Sequence, residues 1–233
     1  MSILKEIFKS TLDFILPQSC LICNTEIESG MLCHKCLDYI PEVIPPFCKV
    51  CGRPLKKGRN CRYCSGEMHI DYGRAWALFI PPVDKIIHHF KYRKKHKLSI
   101  FLGQAMATII RSDHILRNAD VLIPVPLFWY KRLRRGYNQA ALLSAVISSE
   151  CNISSVDAMK RIKYTKTQTK LSEEARRKNV FNAFSINSDR VENKNVILID
   201  DVLTTGVTMN ECARVLKEAG VKQVYSCVAA ITA

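Results

Sequence analysis

The sequence lacks a long uninterrupted run of apolar residues, although hydrophobic residues make up 48% of its 233 positions. Its first sixteen residues place apolar side chains near helical spacing, but Lys5, Glu6, Lys9 and Asp13 interrupt them. A signal peptide needs an unbroken apolar segment and a membrane span needs about 20 consecutive apolar residues, so both are excluded. We expect an amphipathic helix packed on its own protein rather than one lying on a membrane surface.

Two nucleotide-binding motifs are also missing. No GxGxxG follows an apolar run, and the one loop with a phosphate-binding pattern has no lysine of the P-loop type. These absences weigh against a dinucleotide-binding protein and against a nucleoside triphosphatase.

Acidic residues are scarce, with 21 Asp and Glu against 35 Lys and Arg, which gives a net charge of +14. Residues 71–233 hold 26 of the basic and 14 of the acidic residues, so the positive excess belongs to this part of the chain. Such a charge suits a polyphosphate substrate or a nucleic-acid backbone, and composition does not choose between them.

Cysteine, by contrast, is plentiful, with eleven in a chain without an export signal. In a reducing compartment, thiols close in sequence are more often metal ligands than disulfides, so we expect a cytoplasmic protein. Eight of the cysteines form the spacing CxxC-x9-CxxC twice, with an offset of 28 residues. They are Cys20, Cys23, Cys33 and Cys36, then Cys48, Cys51, Cys61 and Cys64.

This repeat predicts two structural zinc sites. Two residues between cysteines let a tight turn aim both sulfurs at one ion, and two such turns complete a tetrahedral thiolate site. Sequential pairing, with one zinc per repeat, fits the duplicated spacing better than an interleaved arrangement, which stays open from the sequence. An iron–sulfur cluster and free structural cysteines are the alternatives to zinc.

The segments between the paired cysteines are too short to bury a core of their own, so metal binding would supply folding energy. We expect residues 1–70 to form this zinc-ribbon module and residues 71–233 to form a second domain. Because the first module is not basic, we expect it to serve as a scaffold or a partner contact rather than to bind nucleic acid.

The second domain alternates apolar runs with helical patterns. "ADVLIPVP" predicts a strand that ends at Pro124 and Pro126, and "NQAALLSAVISS" predicts a helix with Asn138 as its candidate cap. "NVILID" predicts a strand buried on both faces, and "VKQVYSCVAAIT" predicts a last strand. Between them, "TMNECARVLKEAG" predicts a helix with Thr208 as its cap and Gly220 just past its end. This alternation is typical of an α/β fold, whose ligands bind beyond the carboxyl ends of the strands.

The stretch "DDVLTTGVT" at the end of the middle strand predicts a ligand site. Asp200 and Asp201 would accept hydrogen bonds only, and ionised carboxylates are rarely buried without partners. The loop after them offers backbone amides, threonine hydroxyls and Gly206, which lets a ligand approach the backbone closely. A ribose 5-phosphate, with vicinal hydroxyls next to a phosphate, matches both features.

These residues resemble the phosphoribosyl pyrophosphate (PRPP) motif of type I phosphoribosyltransferases. The paired CxxC units, "PVPLFWYKRLRRGYNQA" and "RIKYTKTQTKLSEEARRKNVFNAF" extend the resemblance, in the same order, to the ComF family of competence-associated, amidophosphoribosyltransferase-like proteins. The resemblance implies a type I phosphoribosyltransferase fold, a mostly parallel sheet flanked by helices, behind a small N-terminal zinc ribbon.

The resemblance also implies roles for particular residues. Asp200 and Asp201 would hold the ribose and, with Arg135, act in catalysis. The implied PRPP contacts are Val202, Leu203, Thr204, Thr205, Gly206 and Thr208, the pyrophosphate loop Pro124, Val125 and Pro126, and Gln168 and Arg176, with Thr165 and Asn179, in a flexible loop. Lys91 and the signature Arg135, Gly136, Tyr137, Asn138 and Gln139 are further matches.

The implied activity is transfer of a phosphoribosyl group from PRPP, with Mg²⁺ on the pyrophosphate, to an acceptor that the sequence does not identify. Such a transfer passes through a cationic, ribooxocarbenium-like transition state, so the site must neutralise the leaving pyrophosphate. The family also implies a part in DNA uptake during natural transformation, with single-stranded DNA and a competence helicase as partners. A non-catalytic PRPP sensor and a single-stranded-DNA-binding competence factor are the alternatives.

Overall fold

The computed structural model describes residues 18–56, 60–64, 66–93, 96–163 and 179–233. The helix expected over the first sixteen residues lies outside them. The described helices are α1 His34–Asp38, α2 Val83–Tyr92, α3 Leu98–Ser112, α4 Trp129–Arg135, α5 Gln139–Cys151 and α6 Val207–Glu218. The described strands are β1 Tyr72–Leu78, β2 Val121–Pro124, β3 Ser154–Ser155, β4 Met159–Arg161, β5 Phe184–Ile186, β6 Asn195–Leu203 and β7 Gln223–Ile231.

Five strands form one parallel sheet in the order β1-β7-β6-β2-β3, while β4 and β5 form a separate antiparallel pair. The central strand β6 contains the apolar run, and Val196, Ile197, Leu198 and Ile199 are all fully buried. Because side chains alternate along a strand, Val196 and Leu198 pack into one core, and Ile197 and Ile199 pack into the other. A strand with a continuous apolar run therefore suits a sheet that is covered on both faces.

Each face of the sheet has its own core. On one face, helices α2, α3 and α5 bury side chains such as Phe90, Met106 and Leu143. On the other face, helix α6 and the β4–β5 pair share a core with Cys51 and Ile70 from the N-terminal part. This arrangement confirms the expected α/β fold, a mostly parallel sheet flanked by helices.

Two of the expected helix boundaries are confirmed. The side chain of Asn138 caps α5 by accepting a hydrogen bond from the Ala140 amide at 3.2 Å. Gly220 follows the end of α6 with a φ of 80°, a conformation that glycine adopts without steric cost.

Two other boundaries differ from expectation. Strand β6 does not end at Asp200, because β7 continues beside it and pairs with Val202 and Leu203. Asp200 and Asp201 therefore lie within the paired part of strand β6, not in the loop that follows it. Thr208 does not cap α6 but lies inside it, since Gly206 occupies the N-cap with a φ of 85° and no side-chain cap bond.

The second cysteine repeat packs directly against the edge of the sheet. The Gly73 amide on β1 donates to the Lys49 carbonyl at 2.8 Å, and a Cβ atom at Gly73 would lie only 2.6 Å from the Val50 oxygen. Glycine is therefore required where β1 passes this repeat. The division of the chain into residues 1–70 and 71–233 stays a prediction.

No helix among the described residues combines the length and the apolar character that crossing a membrane requires.

Candidate functional site

The eight repeated cysteines form two sequential groups. In each group the four sulfur atoms lie within 4.8 Å of one another; the groups are Cys20, Cys23, Cys33 and Cys36, and Cys48, Cys51, Cys61 and Cys64. The Cys51 and Cys61 sulfurs are 3.6 Å apart, and those of Cys48 and Cys64 are 3.8 Å apart. A tetrahedral ion with zinc–sulfur bonds of about 2.3 Å places its sulfurs about 3.8 Å apart. Both groups therefore fit a structural zinc ion.

A second site lies where the neighbouring parallel strands β2 and β6 end. Its cavity has a volume of about 300 Å³ and is lined by four cationic side chains and two carboxylates. The lining residues are Lys91, Val125, Pro126, Leu127, Lys131, Arg135, Asn138, Gln139, Arg161, Asp200, Asp201, Val202, Thr204 and Thr208. The excess of cations makes this cavity suited to a ligand with several negative charges.

Asp201 forms an ion pair across the cavity. Its carboxylate is 2.9 Å from the ammonium group of Lys91, which stands in the last turn of α2, and only 8% of the Asp201 side chain is exposed. Burial alone would lower the pKa of Lys91, but the charges of Asp201 and Asp200 outweigh it and raise that pKa. A polyhydroxyl ligand that binds Asp201 must therefore share the carboxylate with Lys91 or displace it.

Asp200 is held differently. Its carboxylate accepts a hydrogen bond from the Asp201 amide at 2.8 Å, and it is half-buried. Burial, together with the negative charge of Asp201, raises the pKa of Asp200 to about 7, although the charge of Lys91 opposes the shift. Asp200 is thus able to gain or lose a proton near neutral pH, while its neighbour is fixed in an ion pair.

The segment from Thr204 to Thr208 joins the end of β6 to the first turn of α6. Its bend requires Gly206, whose φ of 85° is unfavourable for other residues. The amides of Thr205 and Gly206 have no hydrogen-bond acceptor among the described residues. Free amides at the start of a twelve-residue helix provide donors and a positive dipole end for an anion.

The segment after β2 lies opposite this loop. The Val125 amide donates to the Ile199 carbonyl at 2.9 Å, and the Asn138 side-chain amide donates to the Val125 carbonyl at 3.1 Å. Asn138, a residue of the signature Arg135–Gln139, is therefore hydrogen-bonded to the expected pyrophosphate loop.

Gln139, at 2% exposure, accepts a hydrogen bond from Arg135 at 3.0 Å. Its Nε2 atom is buried without a partner among the described residues, so a ligand oxygen would satisfy it.

Sequence reasoning did not single out two of the four cations. Arg161 lies on β4. Lys131 lies on α4 in the run "KRLRR", a basic pattern that is typical of a solvent-exposed surface. Burial and the nearby charges of Arg161 and Arg135 lower the pKa of Lys131. These cations repel one another, and a polyanion bound among them would relieve that repulsion. Their basic character was visible in the sequence, but their convergence was not.

The expected PRPP contacts are placed as follows. Asp200, Asp201, Val202, Thr204, Thr208, Val125, Pro126 and Arg135 line the cavity. Leu203 and Pro124 belong to strands β6 and β2 and not to the lining. Thr205 and Gly206 line an adjacent cavity on the side of the second cysteine repeat. Asn179 is described but does not line the cavity, whereas Thr165, Gln168 and Arg176 lie outside the described residues.

Comparison with known families and proteins agrees with this architecture. Residues 11–65 match the family described as the double zinc ribbon domain, and residues 94–231 match the phosphoribosyl transferase domain. Among solved structures, the chain resembles glutamine PRPP amidotransferase from B. subtilis, with 20% identity, a TM-score of 0.42, and coverage of 60% of this chain and 30% of that one.

The chain is also similar to two curated relatives. It is 36% identical over 152 residues to competence protein F from Haemophilus influenzae, which covers 63% of this chain and 66% of the relative. It is 33% identical over 149 residues to DNA utilization protein YhgH from Escherichia coli O157:H7, which covers 62% and 65%. The chain thus spans just under two thirds of the length of either relative. These matches confirm the resemblance to the ComF family. The match over residues 94–231 covers more than half of the chain. It shows that the chain belongs to the phosphoribosyltransferase domain family, with a double zinc ribbon at its N-terminal end.

Proposed function

We propose that this chain binds PRPP with Mg²⁺ in the cavity at the end of β6 and transfers its phosphoribosyl group to an acceptor. One observation carries the proposal: the two carboxylates of β6 share a cavity with four cations and Thr204, and the next two residues, Thr205 and Gly206, have amides without an acceptor among the described residues. A ribose bearing a 5-phosphate and a pyrophosphate has the hydroxyls and the charges that this combination recognises.

The geometry supports one orientation of PRPP. Asp200 and Asp201 would accept hydrogen bonds from the vicinal ribose hydroxyls, and the loop from Thr204 to Thr208 would receive the 5-phosphate. The pyrophosphate would then face the Val125–Pro126 segment and the cations on α4. Asp200 and Asp201 offer carboxylate oxygens of the type that Mg²⁺ prefers, and a bound Mg²⁺ would neutralise part of the pyrophosphate charge.

The side chains of the cavity would favour departure of pyrophosphate. As the bond from ribose C1 to pyrophosphate breaks, negative charge grows on the leaving group and positive charge grows on the ribose. Arg135, Lys131 and Arg161 would stabilise the first charge. The carboxylates of Asp200 and Asp201 would stabilise the second, and Asp200 would be able to take a proton from the incoming nucleophile because its pKa is about 7.

Calorimetric titration tests this function directly. We expect Mg-PRPP and ribose 5-phosphate to bind at one site per chain, with Mg-PRPP the tighter ligand, and ATP to bind at least tenfold more weakly than Mg-PRPP. Pyrophosphate release from PRPP, measured with a panel of amine and nucleobase acceptors, then separates an enzyme from a PRPP sensor. Failure of both Mg-PRPP and ribose 5-phosphate to bind would overturn the proposal.

We predict that Mg-PRPP affinity falls as pH is lowered from 8 to 6. The pKa of Asp200 is raised to about 7, so Asp200 is ionised and accepts hydroxyl hydrogen bonds above that pH, and it becomes protonated below it. Linkage to one proton allows at most about a tenfold change per pH unit. Because the phosphates of the ligand also titrate, binding of Mg-pyrophosphate over the same range is the control. An identical pH dependence for both ligands would contradict the role of Asp200.

The structure favours single-stranded DNA binding as a second candidate function. Helix α4 exposes Trp129 at 65% and Tyr130 at 49%, and the basic residues Lys131, Arg132 and Arg134 follow them on the same helix. Exposed aromatic rings on a basic surface can stack on unpaired bases while the cations contact the phosphates. The names of the relatives, competence protein F and DNA utilization protein, support a role connected with competence and the use of DNA, and we propose that the protein acts in the cytoplasm.

We predict that Trp129→Ala weakens binding to a short single-stranded oligonucleotide roughly tenfold, because stacking on one base contributes about 1–3 kcal/mol. Tyr39→Ala is the matched control, since Tyr39 is 70% exposed but lies between the two cysteine repeats, just after the helix His34–Asp38. Fluorescence anisotropy at two salt concentrations measures both the affinity and its salt dependence. Equal affinities for the two variants would exclude α4 as the contact surface.

A further inference from the structure

Arg53, in the second cysteine repeat, reaches across to the segment from Thr204 to Thr208, which is named the phosphate loop because the proposed function places the 5-phosphate there. Its guanidinium group donates from Nη2 to the Thr204 carbonyl and from Nε to the Thr232 carbonyl, the latter at 3.0 Å. Only 3% of Arg53 is exposed, and its guanidinium lies 3.8 Å from the centre of the Tyr63 ring. No carboxylate pairs with it among the described residues, so this buried cation is stabilised by backbone carbonyls, an aromatic ring and the nearby Cys51 sulfur.

The same carbonyl receives a second donor from the end of the sheet. The Thr232 hydroxyl donates to the Thr204 carbonyl at 3.0 Å, and the Thr232 amide donates to the Leu203 carbonyl at 3.1 Å. The Thr204 carbonyl is therefore held from two sides. In a trans peptide the C=O of Thr204 and the N–H of Thr205 point in opposite directions. Fixing this carbonyl thus fixes the direction of one of the unpaired amides of the phosphate loop.

The cysteine repeat in turn fixes the backbone of Arg53. The Cys48 amide donates to the Arg53 carbonyl at 2.7 Å, and the Gly52 amide donates to the Cys48 carbonyl at 2.8 Å. Gly52 has a φ of 77°, and a Cβ atom there would lie 3.0 Å from the Arg74 backbone. Cys48 and Cys51 are ligands of one group, and Arg53 lies two residues beyond Cys51. The direction in which the Arg53 side chain points therefore depends on the turn from Cys48 to Cys51, which a bound metal ion would close.

We propose that Arg53 is a positioning residue, through which zinc in the second cysteine group holds the phosphate loop in the conformation that binds a 5-phosphate. The inference rests on the proposed function, because it assigns the 5-phosphate to this loop. Its consequence is a coupling between two ligands. Zinc in the second group raises the affinity for the phosphate, and by linkage a bound phosphate strengthens retention of that zinc. The first cysteine group makes no such contact among the described residues and stays uncoupled.

Arg53→Met tests the positioning role, with Arg62→Met as the matched control. Both remove one positive charge from the same repeat, but Arg62 is exposed and donates to the Tyr63 hydroxyl instead of the loop. We expect Arg53→Met to weaken ribose 5-phosphate binding about 10- to 100-fold, the usual effect of losing hydrogen bonds from a charged donor. Mg-pyrophosphate affinity and a content of two zinc ions should stay unchanged, a pattern that general destabilisation would not give.

Zinc release gives a second measurement that needs no enzyme activity. With a chromophoric chelator in excess, ribose 5-phosphate should slow the release of one of the two zinc ions from the wild-type protein at least threefold. The other ion should leave at the same rate with and without the ligand. In Arg53→Met this protection should disappear. Equal ribose 5-phosphate affinity in the two proteins, together with protection that persists in the variant, would overturn the inference.

Two further outcomes are informative. If Arg53→Met does not fold, Arg53→Lys keeps the charge but cannot donate to both carbonyls, so it should still lose roughly tenfold in ribose 5-phosphate affinity. Unchanged affinity in Arg53→Lys and release of both zinc ions without protection in the wild type would contradict the proposal. If the wild-type protein binds neither ribose 5-phosphate nor Mg-PRPP, the proposed function is wrong. The proposed coupling between zinc and the 5-phosphate is then wrong as well.

Discussion

Replacing both Asp200 and Asp201 by asparagine is expected to lower the affinity for Mg-PRPP at least 100-fold. Each carboxylate offers acceptors for a ribose hydroxyl, and a hydrogen bond to a charged group contributes about 1.5–3 kcal/mol, so two such losses exceed 100-fold. Asparagine keeps the size of the side chain but replaces one acceptor oxygen with a donor. Calorimetric titration of the folded double variant with Mg-PRPP measures the change.

The same variant should bind free pyrophosphate at least as well as the wild type. Removing two negative charges from a cavity with four cations makes its potential more positive, which favours an anion that does not use the ribose contacts. Opposite changes for the two ligands would therefore separate loss of the ribose contacts from unfolding. Asp84→Asn with Asp157→Asn is the control, because these two carboxylates lie outside the cavity lining. Retained Mg-PRPP affinity in the folded variant would mean that the site is misassigned.

Asp201→Asn alone should also destabilise the protein, whereas Asp200→Asn alone should not. Asp201 pairs with Lys91, and removing one partner of a largely buried pair leaves an uncompensated charge. Asp200 has a pKa raised to about 7, so its ionised form is already disfavoured by the folded structure at neutral pH. This contrast explains why a close pair of carboxylates is found in a paired strand. One is neutralised by a cation, and the other stays ready to exchange a proton.

Features set by short-range patterns were predictable from the sequence. The run Val196–Ile199 predicted a strand covered on both faces because every position is apolar, and the structure buries all four side chains. The duplicated cysteine spacing predicted two four-sulfur groups because each CxxC turn is local. The prediction that Thr208 caps α6 was wrong. Gly206, with its positive φ, takes the N-cap position and provides no side-chain acceptor.

Features that depend on distant parts of the chain were not predictable. Lys91 reaches Asp201 across 110 positions of sequence, and Arg161, on the separate β4–β5 pair, lines the same cavity as the two carboxylates of β6. Arg53 contacts Thr204 at a separation of 151 residues, and nothing in "CGRP" marks it as more than a surface cation. A single sequence shows which residues are basic. It does not show which of them converge, because convergence is decided by strand order and by the packing of the cysteine repeat on the sheet.

Cys51→Ser is expected to destabilise the whole protein far more than Cys23→Ser, although each removes one ligand from one zinc group. Cys51 is 2% exposed and packs in the same core as Leu203, Val228 and Ile231, whereas Cys23 is exposed. Structural zinc contributes on the order of 10 kcal/mol to the folding of small zinc modules. In the second group, that energy supports residues shared with the sheet, so its loss spreads beyond the repeat.

Both variants should lose about one zinc ion per chain, which makes them matched in chemistry. We expect the midpoint of thermal unfolding to fall by more than roughly 10 °C for Cys51→Ser and by less than roughly 5 °C for Cys23→Ser, because about 1 kcal/mol shifts a domain of this size by about 2–4 °C. Amide hydrogen exchange locates the difference: protection of β1 and β7 should fall only in Cys51→Ser, since Gly73 on β1 donates directly to the second repeat. Equal shifts in the two variants would mean that the second repeat is an appended module, and that the phosphate loop folds without its support.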